Sequence, residues 1–138
     1  MAKATIEDVY EFLKHTAPTY MLATVDGEGN PRVRPFGTAD LFEGRLYIQT
    51  GKKKEVYKQI IAHPEVEVCA WKGADWWRIQ GELVPDERIE AKKHLLDAYP
   101  GLRKMYDEND DNTIVLYFKH ATATFTSLAG KPSETVSW

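Results

Sequence analysis

Short runs of alternating apolar and polar residues cover much of the chain. Residues 65–71, Glu-Val-Glu-Val-Cys-Ala-Trp, alternate strictly, which is typical of a half-buried strand. Six further runs rich in β-forming residues also predict strands, with turn sequences between most of them: 20–25, 31–38, 45–50, 76–84, 113–119 and 121–128. The pattern therefore predicts about seven strands.

Apolar residues at helical spacing predict two to three helices around these strands. The first follows a capping-box-like start at residues 5–8 and ends before Pro18. The second covers residues 52–62, and the third runs from about residue 86 to residue 99, with a short helical piece at 102–106. Most connections are too short for parallel crossovers. We therefore expect one mainly β domain, residues 1–138, whose antiparallel sheet curls into a small barrel.

Composition and charge narrow the classes of function. The chain has 138 residues, is 43% hydrophobic and carries a net charge of −3, which disfavours a nucleic-acid binder because such proteins usually present a basic field. No apolar run approaches the roughly 18 residues of a membrane span, and the first residues do not resemble a signal peptide. The single cysteine, Cys69, suits a reducing compartment, so we expect a cytoplasmic protein.

A cluster of lysines lies where the 45–50 strand gives way to the second predicted helix. After Thr50 and Gly51, the sequence places Lys52, Lys53 and Lys54 in the expected first helical turn. Cations at a helix N-terminus are unfavourable by roughly 0.3–1 kcal/mol each, unless a bound anion reverses the effect. The cluster therefore indicates either a phosphate site or exposed lysines on a solvated helix end.

A second basic cluster lies in the preceding predicted strand. Extended geometry puts Arg32, Arg34 and Phe36 on one face, where two guanidinium groups suit phosphate recognition beside a flat apolar ring. Pro35 lacks an N–H group and indicates an edge strand. The alternative is that both arginines only solubilise that edge. Because the two clusters lie on consecutive predicted strands, we expect them to meet in space.

Other residues with possible chemistry fit simpler roles. Cys69 fits a small apolar position in a strand, and the acidic residues 107–112 fit a solvated loop. Trp76 and Trp77 are adjacent on a predicted strand, so they should face opposite sides of the sheet, and one of them needs a second hydrophobic surface. Four histidines lack the spacing of metal ligands: His15, His63, His94 and His120.

Five segments and one lysine stand in an order and spacing typical of one family: 20–25, 29–36, 44–50, Lys54, 63–66 and 77–81. Together they resemble the pyridoxamine 5′-phosphate oxidase-like, FMN-binding split-barrel superfamily, and the resemblance covers nearly the whole chain. It implies a mainly β fold: an antiparallel split β-barrel of about six or seven strands with two to three flanking helices. It also implies a homodimer with FMN at the subunit interface.

The resemblance further implies which residues would contact the flavin. One wall of the site would comprise Arg32, Val33, Arg34 and Pro35, with an arginine also reaching the phosphate. Ile48, Gln49 and Thr50 would continue that wall, Lys53 and Lys54 would bind the phosphate, and Trp77, with Trp71 as a second candidate, would come from the other subunit.

The chain departs from the oxidase itself at its C-terminal end. No arginine follows Arg103, whereas the oxidase holds pyridoxal phosphate with a segment that contains tryptophan and arginine. This difference argues against pyridoxamine 5′-phosphate oxidation. The resemblance therefore implies a flavin-dependent oxidoreductase acting on an unknown small molecule. The alternative is a non-catalytic carrier or sensor of flavin, or of another flat ligand such as haem or a deazaflavin.

Overall fold

The computed structural model describes residues 3–138, which form one antiparallel sheet with three α-helices. The helices are α1 (Ile6–Glu11), α2 (Glu55–Ala62) and α3 (Ile89–Ala98). A π-helical turn, Phe12–Thr16, continues α1, and a 3₁₀ turn, Pro100–Lys104, follows α3. The strands are β1 (Tyr20–Val25), β2 (Pro31–Phe36), β3 (Asp40–Phe42), β4 (Arg45–Gly51), β5 (Glu65–Lys72), β6 (Asp75–Asp86), β7 (Thr113–Ser127) and β8 (Glu134–Ser137).

The sheet curls without closing. Its strand order is β2-β1-β5-β6-β7-β4-β3, and β8 pairs with β7 beside this path. Every pairing is antiparallel, as the short connections predicted. The two end strands of this order, β2 and β3, do not pair with each other in the part of the chain that the structure describes. The predicted antiparallel split β-barrel with flanking helices is therefore confirmed.

The strand count differs from the prediction in two ways. Short strands β3 and β8 are additional, while the two predicted strands after residue 113 form the single strand β7. The chain passes through His120 with a φ of 51° and remains paired with β6, where the register shifts beside Gly81. A Cβ atom on Gly81 would lie 2.9 Å from the Cβ of Ala121, so this close approach requires glycine.

Helix α3 begins later than predicted because β6 continues to Asp86. The Asp86 carboxylate accepts hydrogen bonds from the Tyr47 hydroxyl at 2.7 Å and from Nη2 of Arg88 at 2.9 Å. Burial raises the pKa of Asp86, but the hydrogen bonds from Arg88 and Tyr47 outweigh it and lower the pKa to about 2. This ionised network fixes the corner between β6 and α3.

The hydrophobic core lies between the concave face of the sheet and helices α1 and α2. Trp77 is 4% exposed and packs on Phe125, with ring centroids 5.4 Å apart. Its neighbour Trp76 is opposite Trp71 in the β5–β6 register, and Trp71 is 49% exposed. The two adjacent tryptophans therefore face opposite sides of the sheet, as predicted.

Candidate functional site

A cavity of about 360 Å³ lies where the ends of β2 and β4 approach the start of α2. Its lining combines polar and aromatic side chains: Pro35, Phe36, Gly37, Thr38, Gln49, Thr50, Lys54, Tyr99, Leu102, Met105 and Tyr106. A larger groove of about 580 Å³ follows β1, β5 and β6, but Glu65, Glu67 and Glu82 line it. Carboxylates repel a phosphate, so the smaller cavity is the candidate flavin site.

The ends of β2 and β4 meet because the sheet curls. Four strands separate β2 from β4 in the sheet order, and β3 lies between them in the chain. Thr38, just after β2, accepts a hydrogen bond at its Oγ1 from the backbone N–H of Gln49 at 2.9 Å. The Tyr20 hydroxyl holds the same segment by donating to the carbonyl of Thr38 at 2.6 Å. The ends of β2 and β4 therefore meet, although the two strands are not consecutive in the chain.

The three lysines precede α2, so the prediction that they fill its first turn is wrong. Helix α2 begins at Glu55 with Lys54 as its N-cap residue, because Asn112 binds the preceding turn. The carbonyl of Asn112 accepts from the N–H of Lys52 at 2.7 Å, and its Oδ1 accepts from the N–H of Lys53 at 2.9 Å. The first helical turn therefore has the usual acid, Glu55.

The side chains of the three lysines differ in their partners. Nζ of Lys52 lies 2.7 Å from a carboxylate oxygen of Glu87, and Nζ of Lys53 lies 3.8 Å from one of Asp111. Lys54 lines the cavity, and within residues 3–138 no carboxylate lies in ion-pair distance of its ammonium group. Lys54 is therefore the lysine that is available to an anion in the cavity.

The two arginines of β2 also differ. Arg32 pairs with Asp26 at 3.0 Å. Arg34 binds neutral oxygens instead, donating to Oγ1 of Thr24 at 2.7 Å and to Oε1 of Gln59 at 2.9 Å. Burial lowers the pKa of Arg34, and no carboxylate within residues 3–138 pairs with it. Of the two arginines in β2, Arg34 is therefore the one without a carboxylate partner in residues 3–138.

Gln59 brings Arg34 and Lys54 to the same helix. Gln59 lies in α2, five residues after its N-cap residue Lys54, which corresponds to about 7.5 Å along the helix axis. Because Arg34 donates to Gln59, its guanidinium lies within one to two helical turns of the cavity lysine. The two cations without a carboxylate partner therefore lie along one short helix, Lys54 at its N-cap and Arg34 against its middle.

The other predicted site residues take different positions. Pro35, Gln49 and Thr50 line the cavity. Val33 is 66% exposed, on the opposite face of β2 from Arg34. Ile48 is fully buried in the core, and Trp77 is 4% exposed there, so both side chains are occupied by packing within their own subunit.

Several lining residues were not predicted as site residues. Tyr99, at the end of α3, is fixed by its hydroxyl, which accepts from the N–H of Ala39 at 2.9 Å. Nζ of Lys14 lies 3.5 Å from the centroid of the Tyr99 ring, a cation–π contact that supports the same wall. Leu102 and Tyr106 follow in the chain. No local periodicity indicates these residues, because contacts between distant segments bring them to the cavity.

The remaining candidate residues, Cys69, the histidines and the acidic loop, do not line the cavity. No group of three or more potential metal ligands is present within residues 3–138, and no helix there is long and apolar enough to span a membrane. Cys69 is half-buried, and burial raises the pKa of its thiol. In the acidic loop, burial raises the pKa of Asp110, but hydrogen bonds from backbone N–H groups, including that of Thr113, lower it to about 2. Three histidines pair with carboxylates: His15, His94 and His120.

Comparison with solved structures finds the same fold in several proteins. A NimC/NimA family protein from Clostridium acetobutylicum is 39% identical, with a TM-score of 0.88 over 96% of this chain and 92% of that chain. A pyridoxamine 5′-phosphate oxidase-related, FMN binding protein from Nostoc punctiforme is 18% identical, with a TM-score of 0.70 over 94% and 87% of the two chains. A heme binding protein from Mycobacterium smegmatis is 13% identical, with a TM-score of 0.70 over 99% of this chain and 60% of that chain.

Sequence comparison identifies the family more directly. No protein of curated function matches the sequence. The family profile described as pyridoxamine 5′-phosphate oxidase matches residues 6–111, which include the strands and the lysine cluster around the cavity. Together with the 39% identity to the Clostridium acetobutylicum protein, this match shows that the chain belongs to the pyridoxamine 5′-phosphate oxidase family.

Proposed function

We propose that this protein binds FMN in the cavity and acts as a flavin-dependent oxidoreductase on a small organic molecule. The observation that carries the proposal is a pair of cations beside α2: Lys54, its N-cap residue, which lines the cavity, and Arg34, which binds Gln59 in the same helix. Neither is neutralised by a carboxylate within residues 3–138, although the chain as a whole is acidic, with a net charge of −3. A phosphate group would neutralise both.

The start of α2 supplies further groups suited to a phosphate. The first N–H groups of an α-helix have no partner within the helix, and the helix dipole adds partial positive charge at that end. No side chain caps this end of α2. The backbone of the first turn and the Lys54 ammonium therefore together suit a phosphate dianion, and Arg34 adds positive charge beside the same helix.

The rest of the cavity suits the other parts of FMN. Thr38, Gln49 and Thr50 supply polar groups for the ribityl hydroxyls, and Phe36 and Tyr99 supply flat apolar surface for the ring. The volume of about 360 Å³ is within the usual range for small-molecule sites. When bound, FMN would supply the electron-transfer chemistry, while these side chains orient it and exclude water.

We also infer a homodimer with the flavin near the subunit interface. Val33 is 66% exposed and Trp71 is 49% exposed, and both lie on the outer face of the same half of the sheet. Exposed large apolar side chains grouped on one face favour a protein partner. A partner that covers Val33 would also reach Pro35 at the cavity edge. Trp71 and Trp76 suit this contact better than Trp77, whose ring packs in its own core. The single cysteine supports a cytoplasmic location.

A carrier or sensor is the second candidate function. The titratable groups that line the cavity are Lys54, Tyr99 and Tyr106. Histidine and carboxylate side chains, the commonest general acids and bases, are not among the lining residues within 3–138. This lining would hold a flavin, or another flat ligand such as haem or a deazaflavin, without further chemistry.

Two measurements test the proposal. The purified protein should have the absorption spectrum of an oxidised flavin, and acid release should yield FMN rather than FAD. Anaerobic addition of NADH or NADPH should then bleach the flavin band if the protein is an oxidoreductase that takes electrons from these donors. A flavin band that persists with both donors would favour the carrier. A protein that binds no added FMN would refute both roles for this flavin.

A further inference from the structure

A residue from a distant part of the chain holds the turn between β4 and α2. Asn112 binds this turn twice, since its carbonyl accepts from the N–H of Lys52 at 2.7 Å and its Oδ1 accepts from the N–H of Lys53 at 2.9 Å. Its side-chain amide also packs against Gly51, where a Cβ atom would lie 2.9 Å from Nδ2. Asn112 therefore contacts three consecutive residues of the turn that leads to Lys54.

The loop before β7 fixes the position of Asn112. Oδ1 of Asp110 accepts from the N–H of Asn112 at 2.9 Å and from the N–H of Thr113 at 2.6 Å. Thr113, the first residue of β7, is paired with Gly51, the last residue of β4. Hydrogen bonds within the loop and the pairing of the two strands therefore set where Asn112 lies beside the turn.

The bonds of this turn leave two neighbouring N–H groups for a ligand. Four of the six N–H groups of residues 52–57 already have acceptors. The first two bind the loop as described, the third donates to the carbonyl of Gly51 at 3.1 Å, and the sixth donates to the carbonyl of Lys54 at 3.2 Å. The other two, of Glu55 and Val56, donate to no group in the part of the chain that the structure describes. Two adjacent N–H groups at a helix start, next to a lysine that lines the cavity, suit the oxygens of one phosphate.

We propose that Asn112 is a positioning residue for the phosphate end of the flavin site. This inference rests on the proposed FMN site, because it assigns the phosphate to the N–H groups of Glu55 and Val56 and to the ammonium of Lys54. Asn112 is not among the residues that line the cavity, so it acts through the turn. By binding the two preceding N–H groups, it removes them as donors and fixes the segment from which Lys54 and α2 start. A site that is ordered in advance loses less conformational freedom on binding, which favours affinity.

Titration with FMN and with riboflavin separates positioning of the phosphate from a general role in folding. Asn112→Ala removes one hydrogen bond of the turn, so it should raise the Kd for FMN by roughly threefold to tenfold. The Kd for riboflavin, which lacks the phosphate, should change by less than about twofold. A change that only loosened the fold would weaken binding of both ligands equally.

Asn109→Ala is the matched control. Asn109 lies in the same loop and is exposed, and its side chain makes no hydrogen bond within residues 3–138. This variant should leave the Kd values for both flavins unchanged. The proposal would be overturned if Asn112→Ala weakened FMN and riboflavin binding equally, or if it weakened FMN binding no more than the control does.

Amide NMR spectroscopy of the wild-type protein gives a second test that needs no variant. In the protein without flavin, the N–H of Lys53 should exchange with solvent roughly tenfold more slowly than the N–H of Glu55, because only the former is hydrogen-bonded. Equal exchange rates would show that Asn112 does not hold the turn.

The same spectra locate the phosphate. The FMN and riboflavin complexes differ only in the phosphate, so the largest difference between their amide signals should be at Glu55 and Val56. A largest difference at Lys52 or Lys53 would overturn the proposal, because those N–H groups would then bind the phosphate rather than Asn112. Failure of the FMN site gives a different result, since neither flavin would then bind, while the exchange rates without flavin would still show whether Asn112 holds the turn.

Discussion

Replacing Lys54 with alanine should weaken FMN binding far more than riboflavin binding. Lys54 lines the cavity, and within residues 3–138 no carboxylate neutralises it, so the flavin phosphate would be its principal ionic partner. A hydrogen bond to a charged group contributes about 1.5–3 kcal/mol. Its loss should therefore raise the Kd for FMN roughly 10- to 150-fold. Riboflavin has the same ring and ribityl chain without the phosphate, so its Kd should change by less than about threefold.

The assay is quenching of flavin fluorescence during titration of protein from which bound ligand has been removed. Lys52→Ala is the matched control, because Nζ of Lys52 already pairs with Glu87 at 2.7 Å. That variant should change the free energy of FMN binding by about 1 kcal/mol or less, which is the usual contribution of a surface ion pair. If Lys54→Ala weakens FMN and riboflavin binding equally, Lys54 does not contact the phosphate and the reasoning fails.

Three further predictions concern stability and assembly. Asp86→Asn should lower the free energy of unfolding by on the order of 1–2 kcal/mol at pH 7, after allowance for solvent screening. Because the pKa of Asp86 in the folded protein is lowered to about 2, this contribution should disappear as the pH falls from about 4 to 2. If urea unfolding gives the same difference in stability between wild type and Asp86→Asn at pH 7 and at pH 2, the prediction is contradicted. Gly51→Ala would put a Cβ atom 2.9 Å from a side-chain amide nitrogen, so it should destabilise the protein by about 1–3 kcal/mol. Gly27→Ala, with nothing within 4 Å, should leave the urea midpoint within experimental error of wild type or raise it. Val33→Glu should dissociate the proposed dimer in analytical ultracentrifugation, whereas Ile89→Glu, at a comparably exposed residue, should not; dimers that persist in the Val33 variant would place the interface elsewhere.

Local patterns predicted the fold class and the faces of the strands. The alternation in β5 and the adjacent pair Trp76 and Trp77 depend only on extended geometry, so their opposite faces could be predicted from the sequence. Short connections similarly predicted antiparallel pairing. The short strands β3 and β8 were missed because they have only three and four residues, too few for an alternating pattern to be recognised, although each pairs with its neighbour in the chain.

Details of the site depend on contacts between distant segments. The start of α2 was misplaced because Asn112, far along the chain, binds the turn before the helix. The same limitation applies to Tyr99, which reaches the cavity through its bond to Ala39. The resemblance gave positions without side-chain directions, so it could not show that the side chains of Ile48 and Trp77 pack in the core. The resemblance also could not show that Arg34, rather than Arg32, is the arginine of β2 without a carboxylate partner in residues 3–138.

Native mass spectrometry of the purified protein tests the central claim most directly. After incubation with excess FMN and removal of unbound ligand, we predict a dominant species of two chains with two FMN molecules. The Lys54→Ala protein, treated identically, should retain much less FMN. A spectrum in which the wild-type chain has no bound FMN after this treatment would contradict the account.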